Sequence, residues 1–399
     1  MSDPFAGAFA MPCAGAARYL LNDEGWRAMA AAPGLRFVAM WADESAVIAL
    51  LRDAAGAKLM ATVAVEQGFF PGVSPWRPEA AEFERMIRDL WGYNAVGGID
   101  GRPLLDFGQW RLAHPLGRPV APFAAPEPAT SGFAHKGTLA LMRGKPPRVA
   151  ARFAARVDGG ATVAHSIAFA RAAEAAGRSR VPPRAEQLRE MMMRLEAVGG
   201  ALECIGRVAV AAEAALLGGR VAVLREAVAR TAAAAFGHRL MMDAVVPGGV
   251  VADLLADGPG ALLWLRRSVA AADLPALLEA SLGRRLRDLP AVGARMALAL
   301  ETVAAGLEGL GMLVEQLEDG PVIQAAMAVA GEGIGEATGP SGDILHWLRL
   351  EGGQIAGVFM LDPGWVQAGA AAAEAAAADA SDAEIVLAAH GILASGMEL

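Results

Sequence analysis

Pro119, Pro122, Pro126 and Pro128 crowd into one short stretch of this chain. Proline has no amide hydrogen to give a helix or a central strand, and its ring fixes φ. Alanines fill much of the space between, and from Arg118 to Gly132 no apolar periodicity survives. Regular structure does not cross such a stretch, so it reads as an extended connector. It divides the chain into an N-terminal unit, residues 1–118, a Pro/Ala-rich linker, residues 119–132, and a C-terminal unit, residues 133–399.

The two sides differ in pattern. Arg36 to Ala42 is a short run with β-branched and aromatic members, as a strand requires. Glu44 to Ala55 follows with helical spacing, and Lys58 to Glu66 alternates like a second strand. Glu79 to Trp91 places Phe83, Met86, Ile87 and Leu90 on one helical face. Such alternation predicts a small α/β domain. Beyond the linker, long alanine-rich stretches predict closely packed helices: Ala209 to Ala235, and Ala294 to Leu317. Residues 366–380 read as a weak helix or a flexible run, and Glu351-Gly-Gly-Gln as a hairpin turn. The expected fold class is α+β: a small N-terminal α/β domain, then a mainly α-helical bundle ending in a short β-hairpin. At 399 residues both parts can bury a sizeable core.

Composition narrows the function. A net charge of -8 argues against a nucleic-acid surface. The two cysteines, Cys13 and Cys204, stand too far apart for metal-ligand spacing and suit a reducing compartment. No phosphate loop or dinucleotide fingerprint occurs. Met-Ser-Asp-Pro at the start has no basic region before an apolar core, so no signal peptide is expected. Charges such as Glu213 and Arg220 interrupt long apolar runs, and a spanning helix needs about 20 mostly apolar residues. The expectation is a soluble chain with apolar docking surfaces.

Two blocks carry a resemblance. Residues 156–166 run Arg156, Val, Asp158, Gly, Gly, Ala161, Thr, Val, Ala, His165, Ser166. This is similar to the first metal-binding motif of nickel–iron hydrogenase large subunits, Arg-x-Cys-x-x-Cys-x-x-x-His-Ser. Val181-Pro-Pro-Arg184-Ala185 with Arg189, then Leu195-Glu196, resembles the helix that follows in that family. Pro247-Gly-Gly with Asp253 resembles its Gly-Gly-x-x-x-Asp turn, and Gly339 to Trp347 its Pro-Arg-Gly-Glu-x-x-His segment. In the N-terminal half, Glu84-Arg85 with Asp89-Leu90 and Gly92, then Leu104-Leu105-Asp106, Trp110 and His114-Pro115-Leu116, resembles the thirty-kilodalton subunit of respiratory complex I. The combination is closest to group 4 hydrogenases of the formate-hydrogenlyase type, where the two parts are fused.

The departures matter as much. Asp158 and Ala161 stand where the first motif has cysteines, and by register Ala394 and Met397 stand for the final pair. A thiolate binds soft metals and an alanine methyl binds nothing. The resemblance thus implies a large subunit without its nickel–iron site. Its family setting would be a membrane-associated, complex I-like or hydrogenase-4-like oxidoreductase, on the inner face of the cell membrane. The protein would itself carry no cofactor. An iron–sulfur cluster would sit in a small iron–sulfur partner subunit, beside membrane antiporter-like subunits, with a vestigial quinone pocket nearby. Nucleic acid would not be a partner. An assembly or maturation factor that mimics a large subunit is the alternative, and an inactive remnant the third reading.

Candidate site residues follow from the motifs. In complex I the matching position is an aspartate near the quinone site, so Asp158 is a candidate for holding a proton. Its ordinary reading is a salt bridge to Arg156 or a helix cap. His165 is a candidate proton relay, and a lone core histidine is its ordinary reading. His135, beside Lys136, is a candidate for bonding a headgroup. His346 and His390 show no partner at metal spacing.

Overall fold

The computed structural model describes residues 4–108, 110–117, 136–392 and 394–397; the expected linker, 119–132, and His135 lie outside them. The N-terminal part runs β1 (Phe9–Met11), β2 (Ala17–Leu21), α1 (Asp23–Ala31), β3 (Arg36–Asp43), β4 (Ala46–Arg52), β5 (Lys58–Ala64), β6 (Phe69–Pro71), α2 (Ala81–Trp91) and β7 (Asn94–Val96). Five of the strands form one sheet in the order β1-β2-β5-β4-β3, with β2 and β5 parallel.

β4 corrects the sequence expectation of a helix over Glu44 to Ala55. It pairs antiparallel with β3 on one side and β5 on the other, and Val47 to Leu51 are all buried. A central strand covered on both faces shows a continuous apolar run, and period alone does not separate that from a buried helix. Its two neighbours complete the backbone hydrogen bonds and so decide the matter.

The C-terminal part continues with α3 (Thr138–Met142), α4 (Pro147–Ala154), α5 (Thr162–Ala176), α6 (Pro183–Ala211) and α7 (Ala215–Phe236). A two-strand turn of β8 (Val245–Val246) and β9 (Gly249–Val250) precedes α8 (Gly258–Ala270), α9 (Leu274–Asp288) and α10 (Pro290–Glu315). Then come β10 (Gly331–Gly339), β11 (Gly342–Glu351) and β12 (Gln354–Leu361), followed by α11 (Gly364–Ala377) and α12 (Ala383–His390). A single 3-10 turn, Ala394–Met397, follows α12. The architecture is α+β, as expected. The terminal hairpin is larger than expected, because β10 joins β11 and β12 in a three-stranded antiparallel sheet.

That sheet forms a middle layer. The pairing of Ile334, Trp347 and Phe359 puts them on one face, against the N-terminal sheet. There Trp41 stacks on Phe359 with ring centroids 4.6 Å apart. The charged partners also cross: Arg52 and Lys58 each reach Glu336 at 2.6 Å, and Arg349 reaches Asp43 at 2.9 Å. The opposite face presents Gly333, Gly335 and His346 to α5. Side chains of a strand alternate between faces, so β11 serves two cores at once. One apolar core therefore runs from the N-terminal sheet through Trp347 and Phe359 to Phe169 on α5, and a second lies among the helices.

α10 is, among the described residues, the helix long and apolar enough by composition to cross a membrane. In this fold its Val292, Met296, Ala299, Val303 and Leu310 pack into the helical core, while Leu298 and Met312 are exposed.

Candidate functional site

Glu84, Arg85 and Asp89 of α2 act first on their own neighbourhood. α2 buries Glu84 and Asp89. Glu84 accepts hydrogen bonds from the amides of Val73 and Ser74 and from the Ser74 hydroxyl, at 2.6, 2.9 and 2.6 Å. Asp89 Oδ2 accepts from the amides of Leu104 and Leu105 at 2.7 and 2.8 Å. Arg85 donates to the carbonyls of Arg102 and Pro103. These charges clamp two irregular loops onto one helix, which answers the backbone polar groups that loops leave unpaired.

The C-terminal motifs also meet one another. Arg184 grips Asp253 with a two-pronged ion pair. Arg189, fully buried, binds Glu174 at 2.6 Å and the carbonyls of Val246 and Gly249. The helix start at Pro183 is thereby locked to the Gly248-Gly249 turn, whose positive φ values glycine tolerates.

The turn before α5 collects the positions of most interest. Asp158 is buried and accepts from the Gly160 amide at 2.9 Å and the Ser395 hydroxyl at 3.2 Å. Lys136 reinforces this by donating to the carbonyls of Val157 and Ser395 at 2.9 and 2.6 Å. The 3-10 turn Ala394–Met397 is thus fastened to the residues around Asp158. Met397 lies over Gly364, next to Asp362. Arg156 does not pair with Asp158. It points outward to Asp243, at 2.6 and 2.8 Å, and each holds the other charged. Gly159 and Gly160 turn the chain, and the Asp158 side chain is used within that turn.

His165 has the strongest surroundings. It is wholly buried, its Nδ1 lies 3.0 Å from His346 Nε2, and its Nε2 lies 3.1 Å from Asp362 Oδ2. Asp362 also accepts from the Gly364 amide at 2.7 Å. The array His346–His165–Asp362 joins β11, α5 and the end of β12. Burial keeps the His346 ring well below the usual histidine range, and the neighbouring His165 adds to it. Among the described residues, His346 Nδ1 has no hydrogen-bond partner. Sequence spacing gave no sign of this pairing, because the three residues come from distant elements. Among the described residues, no three His, Cys, Asp or Glu side chains group as a metal site needs.

A cavity of about 1540 Å³ opens beside the turn. Its walls come from α6, α7, α10, α11 and α12, with the β10–β11 turn and residues 158–162 completing them. Much of the lining is alanine, including Ala222, Ala229, Ala232, Ala299 and Ala370. Glu196 lines it too. Its carboxylate accepts from the amides of Val163 and Ala164, at 2.5 and 2.9 Å, at the start of α5. Burial pushes Glu196 up to about 8, the two amides pull the other way, and Asp158 raises it further. Glu196 stands in the sequence only as part of the Leu195-Glu196 match, and nothing local in a long helix marks it as a site residue.

The class these features define is an α+β protein with a buried His–His–Asp array and an alanine-walled cavity that has an acidic corner. A scan against protein-family models found no match for this protein, and a search of curated proteins likewise found none.

Proposed function

We propose that the protein is a subunit of a membrane-associated, complex I-like or hydrogenase-4-like oxidoreductase, acting in coupling or scaffolding. The observation that supports it is a convergence. The two segments that hold the four positions matching the metal-ligand cysteines come together, with Asp158 bonded to Ser395 inside the turn that holds Ala394 and Met397. A resemblance that rested on scattered chance matches would leave residues from the middle and end of the chain apart. The residues at these positions do not fit a nickel–iron centre: two are alanines, which offer no donor. The cavity beside them suits an apolar guest, as a vestigial quinone pocket would.

Affinity purification of the tagged protein from native membranes tests this. Co-purification of an iron–sulfur subunit and antiporter-like membrane subunits, with nickel far below stoichiometric, is expected. Stoichiometric nickel or hydrogen uptake by the protein alone would sink the reading. Capture of maturation proteins instead would favour an assembly factor.

A further inference from the structure

The charges in the cavity wall are unevenly partnered. Arg225 is engaged by Glu203, Arg239 by Glu226, and both Arg295 and His390 by Glu374. Arg207 approaches Glu203 and donates to the Gly391 carbonyl. Among the described residues, Asp158 and Glu196 receive hydrogen bonds from neutral donors only: backbone amides and the Ser395 hydroxyl. Next to them Thr162, 1% exposed, keeps a hydroxyl oxygen with no hydrogen-bond partner among the described residues. Among the described residues, two carboxyl groups without an ion-pair partner, beside an idle hydroxyl, form an incomplete site.

We propose that this corner binds the ammonium head of an amine ligand, whose apolar body fills the alanine-lined remainder of the cavity. An ammonium carries three donors and no acceptor. Asp158, Glu196 and Thr162 supply three acceptors of matching character. The volume, about 1540 Å³, exceeds the roughly 300–1,000 Å³ of an ordinary small-molecule site, which leaves room for a long body. In the free protein, burial holds a proton on Glu196 at neutral pH, and that lets the acidic pair coexist. An arriving cation displaces the proton into solvent. The charged group acting on Glu196 from another element is Asp158; elsewhere on the wall Arg225 pairs with Glu203, Arg239 with Glu226 and Arg295 with Glu374, and His238 and His390 also line it. The inference rests on the cavity and not on the oxidoreductase reading, so either can fail alone.

Calorimetric titration of the full-length protein with octylammonium, octanol and octanoate tests it, at neutral pH and in two buffers of different ionisation enthalpy. Octylammonium is expected to bind at least about tenfold tighter than octanol, the value of one charge-assisted hydrogen bond. Its apparent heat should change with buffer, which reports proton release. Glu196→Gln and Asp158→Asn keep oxygen acceptors in place, and each should abolish most of the preference for the amine. Thr162→Val should weaken binding by a smaller factor. Equal affinity for octanol and octylammonium would overturn the proposal, as would an amine preference that survives both carboxyl substitutions.

Discussion

Arg156 and Asp158 stand two residues apart in one motif, yet the fold sends them in opposite directions. Arg156 forms an ion pair with Asp243 that is nearly half exposed on both sides. Such pairs contribute little, so Arg156→Ala should cost less than about 1 kcal/mol in urea unfolding. Asp158→Ala removes a buried acceptor and leaves the Ser395 hydroxyl and Gly160 amide unserved, at a cost of about 1–3 kcal/mol. If both substitutions had the same effect, the capping role of Asp158 would be wrong. His346 carries a pH dependence of its own. It stays neutral in the folded protein, whereas the unfolded chain protonates it below about 6.5. At this site the unfolded state then binds more protons, so the contribution of His346 to stability falls as pH drops below that value, by at most about 1.4 kcal/mol per pH unit, while Glu196, raised to about 8, works in the opposite direction. Unfolding free energies of wild type and His346→Leu between neutral and mildly acidic pH should converge as pH falls. Parallel curves would remove His346 as the cause. Asp158 and His165 were visible in the sequence as motif members. Glu196 was visible only as a helix match and not as a site residue, and Asp362 was not singled out at all, since nothing local sets either apart from a surface carboxylate.

At the scale of elements, the closest packing is between β10 and α5. Every second residue of Gly331-Glu332-Gly333-Ile334-Gly335 is glycine, and the glycine face lies on the alanines of α5. A Cβ on Gly335 would overlap the Ala168 carbonyl and the Ala172 amide, and one on Gly333 would meet the Ala176 amide. These neighbours are backbone and have no rotamer to shift. Gly335→Ala should therefore cost about 3 kcal/mol or more, or prevent folding, as thermal melts would show. A tolerated alanine would mean that sheet and helix sit farther apart. Helix starts at Pro183 and in α2 were legible, because proline and amphipathic spacing act locally. β4 was not legible as a strand, since burial on both faces erases the alternation that marks one.

At the scale of the whole molecule, the three-stranded sheet ties the two halves together. Trp41 from β3 stacks on Phe359 from β12, in a core that also holds Trp347. Phe359→Ala should lower stability by about 3–5 kcal/mol and change the near-ultraviolet signal of the tryptophans in the same transition. Two separate transitions, only one of them shifted, would show that the halves melt independently. The amino-acid sequence by itself determined the α+β class and the main helices, because these depend on composition and local geometry. Tertiary structure alone decided that Asp158 meets Ser395, that His165 lies between His346 and Asp362, and that Glu196 borders a cavity. Each of those contacts joins residues far apart in sequence, and only burial of the apolar faces around them brings such residues together.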